Sequence, residues 1–135
     1  MRVQGIVWMG VQTGHHEATA AMFRALFGEP PSIERPGFAL WSLANGDLVE
    51  LFAAGTKPPF EAAPVVGFQV DDLAAARRAI EAAGAVVVGG YGPNESGYES
   101  IHFRAPDGNI YELVHDPDHE ARARGGDRGR GPDQG

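Results

Sequence analysis

Ala105-Pro106-Asp107-Gly108-Asn109-Ile110-Tyr111-Glu112-Leu113-Val114 is the stretch that decides how this chain is read, because the first half holds its counterpart. That counterpart is Asn45-Gly46-Asp47-Leu48-Val49-Glu50-Leu51-Phe52. Each is a tight turn followed by an alternating strand with a glutamate inside it. Asn-Gly and Asp-Gly dipeptides supply the positive φ angles that a hairpin turn demands.

Working outward, each hairpin is preceded by the same order of elements. Gly5-Ile6-Val7-Trp8-Met9-Gly10-Val11 and Pro64-Val65-Val66-Gly67-Phe68-Gln69-Val70 read as strands, and a helix follows each. The first helix, about 15–27, carries Ala18, Met22, Ala25 and Leu26 at helical spacing and stops at Gly28. The second, about 72–83, starts at an Asp71-Asp72 cap, carries Leu73, Ala76 and Ile80, and stops at Gly84. The pattern is strand, helix, three strands, written twice. The expected fold is α+β: two tandem βαβββ modules forming a curved, cup-shaped mixed sheet with helices on its outer face. One domain is expected over 1–117, with modules 3–53 and 64–117 joined by a linker at 54–63. Residues 118–135 hold many glycines and balanced charges, and read as a disordered tail.

The strand period of two assigns faces. Val7, Met9 and Val11, with Val66, Phe68 and Val70, suit packing under the helices. Ile6, Trp8 and Gly10, with Val65, Gly67 and Gln69, suit the concave face. On the closing strands Glu50 and Glu112 become equivalent residues pointing into the cup. His102 alternates with Ile101 and Phe103, which joins it to the cup face across the strands from Glu112.

Composition narrows the function. The chain has 135 residues, a formal net charge of -7, no cysteine and 43% hydrophobic residues. Nucleic-acid binding needs clustered positive charge, so no nucleic-acid partner is expected. Without cysteine there is no thiolate nucleophile and no Cys-based zinc site. No apolar run is long enough to span a bilayer, and no signal-peptide pattern opens the sequence. No membrane partner and a cytoplasmic location are expected.

The doubled unit, the Gln69-Val70-Asp71-Asp72 helix entry and the Pro-Asp-Gly turn with its following glutamate resemble the vicinal oxygen chelate superfamily. That superfamily includes glyoxalase I, ring-cleaving dioxygenases, and bleomycin- and fosfomycin-resistance proteins. The resemblance covers residues 3–116 and implies a homodimer built around small-molecule sites. In metal-using members a histidine stands five residues before the valine that ends the first strand of each module, and a glutamate or histidine stands on the last strand. The glutamate positions fall on Glu50 and Glu112, but the histidine positions fall on Ile6 and Val65. Aliphatic groups coordinate nothing, so the resemblance implies a member without the usual metal centre. No cofactor is expected; the alternative is a divalent cation on the two carboxylates.

The resulting site combines Glu50, Glu112 and His102 as candidate acid–base groups with Trp8, Ile6, Phe38, Phe52, Val65, Gln69 and Tyr98 as ligand contacts. A carboxylate inside an apolar cup has its pKa raised unless it is paired, and a His–carboxylate pair is a competent general base. Each has a plain structural alternative: relic carboxylates bonded to their neighbours, a histidine held by backbone groups, a tryptophan plugging a cavity. The preferred function is a small-molecule binder that sequesters an aromatic or cationic compound. The rivals are a metal-dependent glyoxalase- or dioxygenase-type enzyme and a metal-free isomerase or lyase using His102 with Glu50 or Glu112. The segment 89–97 is expected to be a mobile hairpin at the pocket mouth.

Overall fold

The computed structural model describes residues 1–55 and 64–123. The elements run β1 (Val3–Thr13), α1 (His16–Phe27), β2 (Ile33–Arg35), β3 (Phe38–Ser42), β4 (Leu48–Ala53), β5 (Val65–Val70), α2 (Leu73–Ala82), β6 (Val86–Tyr91), β7 (Glu99–Arg104), β8 (Ile110–His115) and α3 (His119–Ala123). The strands make one curved eight-stranded sheet in the order β2-β3-β4-β1-β5-β8-β7-β6. Its two halves mirror each other. β1 lies parallel to β4, β5 lies parallel to β8, and β1 and β5 join the halves antiparallel.

The repeat extends to individual hydrogen bonds. In the β3–β4 turn the Leu43 N–H donates to Asp47 O and the Gly46 N–H to Leu43 O. In the β7–β8 turn Ala105 donates to Asn109 O and Gly108 to Ala105 O. Gly46 and Gly108 take φ 89° and 88°, the left-handed region that both turns require. The helix ends follow the expected chemistry. Asp72 caps α2 by accepting from the Ala75 N–H at 3.0 Å, and Gly28 closes α1 at φ 74°.

Three apolar clusters sort the side chains by face. On the concave side Trp8, Phe38, Leu40, Leu48, Phe52, Val65, Tyr98 and Val114 pack together with Val7. Ala20 and Phe23 of α1 cover Ala39, Trp41, Val49 and Leu51. On the α2 side Ala76 packs with Val70, Ile101, Phe103 and Leu113. The alternation read for β4, β5 and β8 is therefore present.

Four expectations change. The ladder between β1 and β5 slips between Ile6 and Trp8. This irregularity turns Val7 into the concave cluster beside Trp8 and leaves Ile6 57% exposed, so Ile6 does not line the cup. Helix α1 buries Ala20 and Phe23, whereas Met22 and Leu26 are exposed. Two apolar stripes compete on this helix, and the one bearing the aromatic rings wins: Phe23 and Phe27 stack at 5.3 Å, and both meet Trp41 edge-on. Tyr98 is fully buried rather than sitting at a solvent-facing mouth. Its segment is held by Asn94, whose side-chain oxygen accepts from Ser96 and Tyr98. Finally, residues 119–123 form α3 instead of continuing a disordered tail. Residues 56–63 of the expected linker and 124–135 of the expected tail lie outside the described residues.

Candidate functional site

Glu50 and Glu112 occupy matching places on β4 and β8, opposite Gly10 of β1 and Gly67 of β5. Both are fully buried. Buried carboxyls in an apolar cup cost stability unless bonded, and each here meets a different partner. The indole Nε1–H of Trp8 donates to Glu50 Oε1. His102 Nε2 lies 2.7 Å from Glu112 Oε2.

Gly67 makes the Trp8 arrangement sterically possible. It is the register partner of Trp8, and a Cβ on it would lie 2.9 Å from Val114 Cγ2 and 3.2 Å from Trp8 Cβ. The bare backbone at Gly67 leaves room for one edge of the Trp8 side chain, while its N–H meets Glu50 on the other neighbouring strand. This commits the N–H of Trp8 inside the fold and buries the ring, so the residue acts as a structural donor to Glu50 rather than as an open stacking platform.

The Glu112 end is richer in titratable groups. Burial pushes its carboxyl above the ordinary range. The hydrogen bond and charge of His102, and then the hydroxyls of Ser100 and Tyr98, work in the opposite direction. The Tyr98 phenol is held well above its usual value, first by burial and then by the charges of Glu112 and Glu50. Both carboxyls therefore bear on one hydroxyl. Ser100 stands two residues before His102 on β7, so the period of two carries it to the same face. The same alternation in the sequence, Ser100-Ile101-His102, carries that signal.

The remaining predicted residues divide. Phe38, Phe52 and Val65 lie in the concave cluster with Trp8 and Tyr98. Gln69 faces the same side but is occupied. Its amide bonds both backbone groups of Asp116, donating to the carbonyl at 2.9 Å and accepting from the N–H at 2.9 Å. Beyond Asp116, α3 carries Arg122, which is fully buried against the Asp116 carboxylate. No sequence signal marked Arg122, because one of four arginines in a stretch rich in Gly and Asp reads as solvated.

A family model described as the Glyoxalase/Bleomycin resistance protein/Dioxygenase superfamily matches residues 5–113. The chain belongs to that superfamily. Among solved structures, this superfamily member is similar to the Mn(II)-bound glyoxalase from Novosphingobium aromaticivorans, at 24% identity and a TM-score of 0.66. That match covers 85% of this chain and 40% of the glyoxalase. A glyoxalase/bleomycin resistance protein/dioxygenase superfamily member from Vibrio splendidus 12B01 matches at 16% identity and 0.60, covering 82% and 97% of the two chains. Methylmalonyl-CoA epimerase from Mycobacterium tuberculosis matches at 16% and 0.60, covering 88% and 93%. At these identities the likeness shows the shared fold. No curated protein matches the chain in sequence.

The superfamily fold raises the question of a metal. Among the described residues no three His, Cys, Asp or Glu side chains gather as a metal-binding group. Of the positions expected for histidine, Ile6 points to solvent and Val65 is a buried aliphatic. One of the two Glu50 oxygens, Oε1, is already taken by the Trp8 indole. The donors present do not fit the four-ligand centre.

Proposed function

We propose that this chain is a metal-free member of the superfamily that takes a small organic molecule into its cup and moves a proton on it, as an isomerase or lyase does. The observation that carries this reading is the buried His102–Glu112 contact at 2.7 Å. A buried carboxyl whose pKa is raised, in close contact with an imidazole, is suited to accept and return a proton. The substrate class is a carbon acid, with a C–H beside a carbonyl. His102–Glu112 takes that proton, the electron pair moves onto the carbonyl oxygen as an enolate, and the proton returns to carbon. Tyr98, a fully buried phenol on whose pKa the Glu112 charge bears, supplies a neutral hydroxyl for the enolate oxygen.

The test is hydrogen exchange in D2O, with a panel of aromatic and aliphatic ketones and thioesters followed by proton NMR. Loss of the α-proton signal is expected with the wild type and is abolished in Glu112→Gln and His102→Gln. Absence of exchange across the panel overturns the reading. Elemental analysis of protein purified without chelator is expected to find no stoichiometric Fe, Ni, Zn or Mn, and one such ion per subunit overturns the metal-free assignment.

A second reading, sequestration of an aromatic or cationic compound without turnover, is favoured by the tilted Phe38–Phe52 pair at 5.3 Å in a cup holding two carboxyls. Stoichiometric binding without exchange would select it. The homodimer belongs to the same proposal. It is supported by the apolar area left exposed at Met22 and Leu26 on α1 and at Val86 and Val88 on edge strand β6. Sedimentation equilibrium is expected to give twice the chain mass.

A further inference from the structure

Glu50, Glu112 and Tyr98 are all fully buried, so no molecule reaches them until part of the chain moves. This follows from reading the cup as a ligand site, and the segment Asp116–Ala123 is where the polar contacts point. It leaves β8 in the second module and crosses to the β3–β4 turn of the first. There Arg122 donates to the Gly46 carbonyl from Nε at 3.3 Å and from Nη2 at 3.1 Å. The same guanidinium holds the Asp116 carboxylate, with Nη1 at 3.1 Å from Oδ1. His119 Nε2 lies 2.8 Å from Asp47 Oδ1. Gly46 is the residue that allows this approach, since a Cβ there would lie 2.3 Å from the His119 carbonyl. Pro117 packs beside Gly97, next to Tyr98.

Beneath the segment runs a cleft of about 530 Å³. It is lined by Val7 of the concave cluster and by Gln69 on one part, and by Asp116, Pro117, His119 and Glu120 of the segment on another. We propose that Asp116–Ala123 is a strap that gates the cup, with Arg122 as its latch, and that this cleft is the way in when the strap lifts.

The latch chemistry suits reversible opening. An apolar lock loses its burial when it opens, whereas a buried ion pair recovers the hydration of both charges. None of the strap's contacts with Gly46 and Asp47 is a hydrogen bond of the strand ladder, so lifting it leaves the eight-stranded sheet intact.

The test reads the solvent access of Trp8 in the ligand-free full chain, using acrylamide quenching in a Trp41→Phe background that leaves Trp8 as the one indole. In Arg122→Met the quenching constant is expected to rise about tenfold, the effect of losing a charged latch bond on an opening equilibrium. Far-UV circular dichroism is expected to remain unchanged. His119→Ala removes only the partly exposed contact and is expected to give about a threefold rise. Unchanged quenching in a folded Arg122→Met overturns the strap. Should that variant fail to fold, His119→Ala decides alone, and no rise in it overturns the proposal. Neither measurement involves a substrate, so a failed exchange assay leaves this result standing.

Discussion

His102 Nε2 and Glu112 Oε2 stand 2.7 Å apart as register partners across the β7–β8 ladder, and both residues are buried. The backbone pairing fixes their approach, so the contact does not depend on a loop. Replacing His102 by alanine removes the two largest influences that pull the Glu112 carboxyl down, and leaves the burial that pushes it up. The Glu112 pKa is expected to climb further in His102→Ala. A carbon-13 NMR titration of the glutamate carboxyls checks this, and an unmoved or lowered Glu112 resonance midpoint contradicts it.

Stability should carry the same signature. Because burial raises the folded-state pKa of Glu112 above its unfolded value, the folded chain holds that proton more tightly. The associated stabilisation is complete below the unfolded pKa and is lost as pH rises through the folded one. Urea unfolding across that window is expected to show the wild type losing stability relative to Glu112→Gln as pH increases. A pH-independent difference between the two would contradict the assignment.

Gly67→Ala is expected to destabilise by about 1–3 kcal/mol, because the added methyl meets Val114 and Trp8. The backbone there is ordinary strand, so the penalty is one of space. Movement of the indole away from Glu50 should accompany it as a shift in tryptophan emission. An alanine accommodated without either change would mean that the packing of Trp8 against Gly67 is loose.

The two stripes of α1 should separate cleanly. Phe23→Ala opens a hole beside Trp41 and is expected to cost about 3–5 kcal/mol. Leu26→Ala touches an exposed residue and is expected to stay within about 0.5 kcal/mol in the monomer. Chemical denaturation at low protein concentration distinguishes them, and equal costs would refute the buried face described here.

Much of the architecture was legible because the chain states it twice. Two turns with Asn-Gly and Asp-Gly chemistry, two capped helices and strict alternation on β4, β5 and β8 fix the modules and the inward direction of Glu50 and Glu112. What escaped the sequence was non-periodic. A slip at one point in β1 moved Ile6 out and Val7 in, and a period-two count cannot register a bulge. On α1 both stripes are apolar, so helical spacing alone could not choose between Leu26 and Phe23. The Arg122 contacts tie nearby Asp116 to Gly46, 76 residues from Arg122, and depend on a guanidinium reaching a backbone carbonyl that no local pattern announces.

The antiparallel seam between β1 and β5 has a consequence for biogenesis. As the chain emerges from a ribosome, β1 can pair with β4 on one side, while its other flank waits for residues 65–70. Until then the nascent first half presents Val3 and Ile6 along an unpaired border, a state in which non-local pairing is slow and association with other chains competes. Translation speed across 56–70 would therefore influence the yield of native protein more than the same delay placed after β8.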